Sequence, residues 1–155
     1  MKLSSLVAAG VTVAAVSGAS AETFVPSIFS DHMVVQQNKP FFVFGKDLPG
    51  QEVKVVFADR HATTKASADG RWRVEISPPP AGGPYQVTIE GSSVKQINDV
   101  LVGEVWLCSG QSNMQWSLAG TMNAEAEVAA ANYPQIRVYN VPNVRSNREE
   151  DDVSA

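Results

Sequence analysis

The chain has 155 residues, a formal net charge of −4 and 44% hydrophobic residues. That composition supports a packed core and excludes wholesale disorder, and the length suits one ordinary domain or a small domain plus part of another. No basic run stands out, which argues against nucleic acid as a partner.

The first element is a leader. Lys2 precedes the apolar run 6–16 (LVAAGVTVAAV), and Ala19 and Ala21 then form an A-x-A-type cleavage site. The run falls short of the roughly 20 residues a membrane span needs. The expectation is a secretory signal peptide over 1–21, cleaved after Ala21. The mature chain would be secreted or extracellular, with the lysosome as an alternative destination. No later segment reads as a membrane span, so no membrane partner is expected after cleavage.

From 22 to 98 the signals are those of strands. Val53, Val55 and Phe57 alternate with Lys54, Val56 and Ala58. Trp72, Val74 and Ile76 alternate with Arg71, Arg73 and Glu75, and Tyr85, Val87 and Ile89 with Gln86, Thr88 and Glu90. Period two buries one face of a strand and wets the other. Turn residues at 48–50 (LPG), 69–70 (DG), 78–83 (PPPAGG) and 91–93 (GSS) separate the runs. Such spacing predicts a β-sandwich-like domain over 22–98. His61, in Ala58-Asp59-Arg60-His61-Ala62, is expected in a hairpin turn, and Asp47 with Glu52 reads as surface charge.

The pattern changes after Asn98. Val100-Leu101-Val102 and Val105-Trp106-Leu107-Cys108 are continuous apolar runs, as in strands buried on both faces of a parallel sheet. The run 124–131 (AEAEVAAA) is rich in helix formers, with Asn123 as an N-cap and Glu125 and Glu127 in or near the first turn. Ile136 to Val141 reads as a further strand. Strand, helix and strand make one βαβ unit, which cannot be a domain by itself. The region 99–155 is therefore expected to be the first, incomplete portion of an α/β domain, apparently truncated. Glu149 to Asp152 reads as solvated charge.

Cys108 is the only cysteine. Inside VWLC it reads as a buried small apolar residue, and neither a disulfide framework nor a cysteine-based metal site can be built from it. No His, Asp or Glu set has metal-ligand spacing, so no metal and no cofactor are expected.

The run 103–114 (GEVWLCSGQSNM) stops in a polar, glycine-kinked corner. Read from its residues alone, this is either an ordinary turn or a corner that holds up a nucleophilic serine. For the second reading it has a glycine for the turn, a serine hydroxyl, an amide side chain and the free N–H groups of a helix start.

The segment GEVWLCSGQSNMQWSL closely resembles the first block of the sialate O-acetylesterase family of carbohydrate esterases, which are SGNH (GDSL-like) hydrolases. The segment Phe29-Ser30-Asp31-His32-Met33-Val34-Val35-Gln36-Gln37 resembles that family's N-terminal signature, SDHMVLQ, with Val35 in place of leucine. The two stretches occur in the family's order, and the resemblance runs from about 25 to about 141. It implies a β-rich domain followed by the start of a flavodoxin-like α/β domain. It also implies Ser112 as nucleophile and backbone oxyanion donor, with Gln111 and Asn113 ordering the corner. A glycine and an asparagine from later blocks would complete the oxyanion hole, and an Asp-x-x-His would supply the acid and base. The implied substrates are acetyl esters on sugars, notably O-acetylated sialic acid.

One departure bears on activity. No Asp-x-x-His occurs, and the only histidines, His32 and His61, both fall in the β-rich region. The expectation is a serine carbohydrate esterase represented by a fragment that is inactive alone. Two alternatives stand beside it: a secreted glycan-binding β-sandwich module, and a non-catalytic esterase remnant. Trp106 and Trp116 fit either stacking on a sugar or packing.

Overall fold

Alternation along the chain becomes burial in the computed structural model, which describes residues 22–153. The leader expected over 1–21 lies outside the described residues. Seven strands follow one another: β1 (Val34–Gln36), β2 (Phe41–Lys46), β3 (Glu52–Phe57), β4 (Arg60–Lys65), β5 (Arg71–Ile76), β6 (Gly82–Glu90) and β7 (Val94–Gly103). Val53, Val55 and Phe57 are fully buried, as are Val87 and Ile89, while Trp72, Val74 and Ile76 are nearly so.

The strands form a curled five-stranded sheet in the order β1-β7-β6-β3-β4 and a two-stranded ribbon, β2-β5. All pairs are antiparallel except β1 with β7. The buried faces of sheet and ribbon share one core, to which the ribbon adds Val43, Trp72, Val74 and Ile76. Edge-to-face rings cross it: Phe29 to Phe41 at 6.1 Å, Phe41 to Phe57 at 5.9 Å and Phe57 to Tyr85 at 6.0 Å. Such pairs add about 0.5–1.5 kcal/mol each beyond area burial.

Several elements depart from expectation. The boundary expected at 98/99 falls inside β7, whose residues Val100 and Val102 are buried in the β-rich core. The apolar run 100–102 pairs antiparallel with β6 and parallel with β1, where Val34 faces Leu101 and Val35 faces Val102. His61 lies in β4 opposite Val56, because Ala58 and Asp59 alone make the β3–β4 turn.

Beyond β7 the expected βαβ unit is represented by its helix alone. This is α1 (Ala124–Ala130), and neither 105–108 nor 136–141 forms a strand. A helix satisfies its backbone internally, whereas a strand exists only through hydrogen bonds to a neighbour. These two runs have no neighbouring strand among the described residues. Asn123 does not cap α1 with its side chain. Its backbone is left-handed (φ 58°), and its carbonyl accepts from the Glu127 N–H at 3.0 Å.

Asp47 is the main departure in charge. It is 8% exposed, not a surface residue. Its carboxylate accepts from the Thr23 hydroxyl at 2.8 Å, the Leu48 N–H at 2.7 Å and the Ser92 N–H at 3.1 Å. The first described residues are thereby tied to the β2–β3 and β6–β7 turns. A Cβ at Gly91 would collide with this carboxylate, and Gly70 (φ 79°) would bring one within 2.6 Å of the Asp47 carbonyl. Burial pushes the Asp47 carboxyl up, but hydrogen bonds from Ser92, Thr23 and Leu48 outweigh it and hold the group below its ordinary value.

Asp47→Ala removes the buried acceptor that these three donors share and is expected to destabilise the β-rich domain by about 2–4 kcal/mol in urea unfolding. A carboxyl lowered in the folded state adds stability above its unfolded pKa, and that stability is lost as pH falls through the folded value. Unfolding midpoints should therefore drop with acid below about pH 4, and Asp47→Asn should flatten that part of the profile.

Candidate active site

β7 ends at Gly103, and the chain leaves the domain past the β1 edge. Glu104 is held there by two amides. Gln37 Nε2 donates to its Oε1 at 2.6 Å and Gln36 Nε2 to its Oε2 at 3.0 Å. The same Gln36 side chain accepts the Val105 N–H through Oε1 at 2.9 Å. These side chains come from β1 and the residue after it, which β7 already pairs. Gln37 N–H donates to the Gly103 carbonyl at 2.8 Å.

From Val105 the chain runs exposed to the corner. Cys108, expected in a core, is exposed, because the run that holds it has no sheet to enter. Ser112 opens a 3-10 turn, Ser112–Gln115, and Gln111 before it is extended (φ −97°, ψ −156°). Met114 N–H donates to the Gln111 carbonyl at 2.9 Å and Trp116 N–H to the Asn113 carbonyl at 3.3 Å. The Gln111 and Asn113 carbonyls thus accept two backbone hydrogen bonds of this turn. A Cβ at Gly110 would stand 2.7 Å from Met114 Cγ, so a side chain at 110 would displace Met114. Ser112 itself is exposed.

Trp106 is 82% exposed and Trp116 67% exposed. The Trp116 indole lies against Gly120, where a Cβ would come within 2.8 Å of Nε1.

Neither histidine meets Ser112. His61 is exposed on β4. His32 sits in a turn with left-handed backbone (φ 69°), and its Nδ1 lies 2.6 Å from Asp99 Oδ2. That oxygen also accepts from Arg137 of the returning tail at 2.8 Å. Asp31, next to His32, accepts the Asn98 N–H at 2.7 Å, and His32 N–H donates to the Asn98 carbonyl at 3.0 Å.

The acidic end of the tail is not free charge either. Asp151 pairs with Lys46 and, at 3.3 Å, with Arg71, which face each other across the ribbon. Asp152 accepts from the Ser27 hydroxyl at 2.6 Å and the Ser27 N–H at 2.9 Å. Sequence reasoning passed over Glu104, Asp99 and Arg137 and took Asp152 for solvated charge, since contacts between residues 38 or more apart leave no local pattern. The only available signal was the dense run of polar side chains at 30–37.

No protein-family model matches the chain. Among named proteins, the sialate O-acetylesterase of Mus musculus is 30% identical over 156 residues, covering 92% of this chain and 29% of that protein. The sialate O-acetylesterase of Homo sapiens is 31% identical over 145 residues, covering 85% of this chain and 28% of that one. Among solved structures, a carbohydrate acetylesterase from Xanthomonas citri matches with a TM-score of 0.71 and 40% identity, over 74% of this chain and 26% of that one. The chain therefore spans less than a third of the length of these relatives.

The Gln37 and Gln36 amides hold the Glu104 carboxyl below its ordinary value. In a carbon-13 NMR titration its midpoint should fall below 4.5. Gln37→Leu should move that midpoint upward, since the first and stronger donor is gone.

Proposed function

We propose, from the premise that this chain belongs to the sialate O-acetylesterase family, that it carries the nucleophile of a carbohydrate O-acetylesterase acting on O-acetylated sialic acid or related sugars. The observation that carries this reading is Ser112. It stands exposed on a hydrogen-bonded 3-10 turn, at the end of the block GEVWLCSGQSNM, in a chain whose named relatives are acetylesterases.

In this reading the Ser112 hydroxyl attacks the acetyl carbonyl carbon as a base takes its proton. The oxyanion that forms is met by the Ser112 backbone N–H. The bond to the sugar oxygen then breaks, that oxygen takes the proton back, and acetyl-Ser112 remains. Water, deprotonated by the same base, attacks the acetyl group, and acetate leaves as Ser112 regains its proton. The exposure of Trp106 and Trp116 beside this corner suits stacking on a sugar face.

The base is supplied from outside these 155 residues. His32 is committed to Asp99, and His61 lies on the far edge strand of the sheet. The segment alone is accordingly inactive, since loss of the base alone costs on the order of 10⁶ in turnover in a serine protease. The leader directs the chain out of the cell and is removed after Ala21. That leaves Thr23, which ties the N-terminal segment to Asp47, within two residues of the new end.

Four measurements test this. Residues 22–155 expressed alone should show no turnover of an O-acetylated sialoside that depends on Ser112. In a form of the protein that does turn the sialoside over, Ser112→Ala should lower kcat by about 10⁴-fold or more, while Ser109→Ala should retain most of it. Labelling by a fluorophosphonate at Ser109 would overturn the assignment. For the leader, the intact mass of secreted protein should correspond to a start at Glu22, and a start beyond Phe24 would refute the cleavage site.

A further inference from the structure

The run Asp31 to Gln37 is the one sequence motif that the chemistry above leaves without a role. Its side chains do not meet Ser112, and only Val35 is deeply buried. Four of its residues nonetheless reach toward the segment that carries the nucleophile. Gln36 and Gln37 hold Glu104 and the Val105 N–H, where that segment leaves the domain. His32 holds Asp99, the same carboxylate that receives Arg137 where the segment returns. Asp31 fixes the backbone just before Asp99 through the Asn98 N–H.

Both ends of the stretch 105–136 are therefore fastened at one edge of the sheet, by one short motif and its β7 partner. Asp99, inside β7, is left-handed (φ 53°), as is His32 in its turn (φ 69°), so the two residues meet from backbone conformations that most side chains disfavour. The outgoing end has the denser fastening. One carboxylate takes two amide donors on separate oxygens, and one of those amides takes a backbone N–H in return. Charge-assisted bonds of this kind are stronger than neutral ones.

We propose that Gln36 and Gln37 are positioning residues for Ser112: through Glu104 and Val105 they set the point and direction at which the nucleophile segment departs from the β-rich domain. The proposal rests on the reading of Ser112 as the nucleophile. Gln36 and Gln37 act through Glu104 and touch no reacting atom.

The test uses the full chain and two readouts that need no esterase turnover. The first is amide hydrogen exchange at Val105, compared with amides of β3 and β6. In Gln36→Ala/Gln37→Ala, exchange at Val105 should rise about tenfold while β3 and β6 hold their wild-type rates. The second is a nitroxide on Cys108, the single and exposed cysteine. Its spectrum should be motionally restricted in the wild type and more mobile in the double variant. The exchanged pair Gln37→Glu with Glu104→Gln re-forms an amide–carboxylate contact in the opposite sense and should keep both readouts at their wild-type values.

Unchanged exchange at Val105 overturns the proposal, as does an equal rise across β3 and β6, which would mark a general loss of stability. A nitroxide as mobile in the wild type as in the double variant also overturns it. A failed Ser112 assignment would appear in sugar-ester turnover and leave these readouts standing, so the two ideas fail separately.

Discussion

The parallel pairing of β1 with β7 is the contact on which the rest of the molecule depends. It is three residue pairs long, yet Val35 and Val102 on it are both almost fully buried. Its backbone bonds continue past the strand ends, from Leu101 N–H to the Met33 carbonyl and from Gln37 N–H to the Gly103 carbonyl. β1 covers one edge of β7, which would otherwise present unpaired donors and acceptors. The same pairing puts Gln36 and Gln37 beside Glu104 and His32 beside Asp99. Core closure and tail attachment are thus two results of one register, and a slip of one residue would reverse the faces of β1.

The attachments differ in strength. Asp47 is enclosed, and its hydrogen bonds draw on a setting where an unmet donor is costly. The pairs at the tail's far end, Asp151 with Lys46 and Arg71, are between half-exposed side chains. Exposed pairs of that sort contribute about 0–1 kcal/mol each. The β-rich domain therefore rests on a core and a buried carboxylate, while the segment after Gly103 is held by a few polar contacts. Its large apolar side chains, Trp106, Leu107, Met122 and Val138 among them, stay in solvent.

The sequence was legible where one strand's own period decided the outcome. Val53 to Phe57, Trp72 to Ile76 and Tyr85 to Ile89 alternate cleanly, and they lie in β3, β5 and β6. It was less legible where a neighbour decides. The run Val100 to Val102 looked two-sided because Leu101 is half-covered on the outer face: a Cβ at Gly83 would come within 3.0 Å of its Cδ2. The runs 105–108 and 136–141 have the composition of buried strands, but composition cannot supply a partner. Asp47 looked like surface charge because two of its three donors, at 23 and 92, are remote in the chain. At the corner, Gly110 and Ser112 could be read from a local motif, whereas the fastening of that corner through Glu104 and Asp99 could not.

The separation of β1 from β7 also has a consequence for the order of synthesis. Val34 finds its partner at Leu101, and nearly the whole domain is translated between them. Hairpins such as β3–β4 can form as soon as they emerge, because they close two-residue loops. β1 must wait for the last strand. The sheet can complete its edge only when Gly103 has cleared the ribosome, and the next residues to appear are the ones that carry Ser112. The segment that holds Ser112 is thus made at the moment its anchorage first exists, and before that moment β1 is an unpaired edge on a nascent chain.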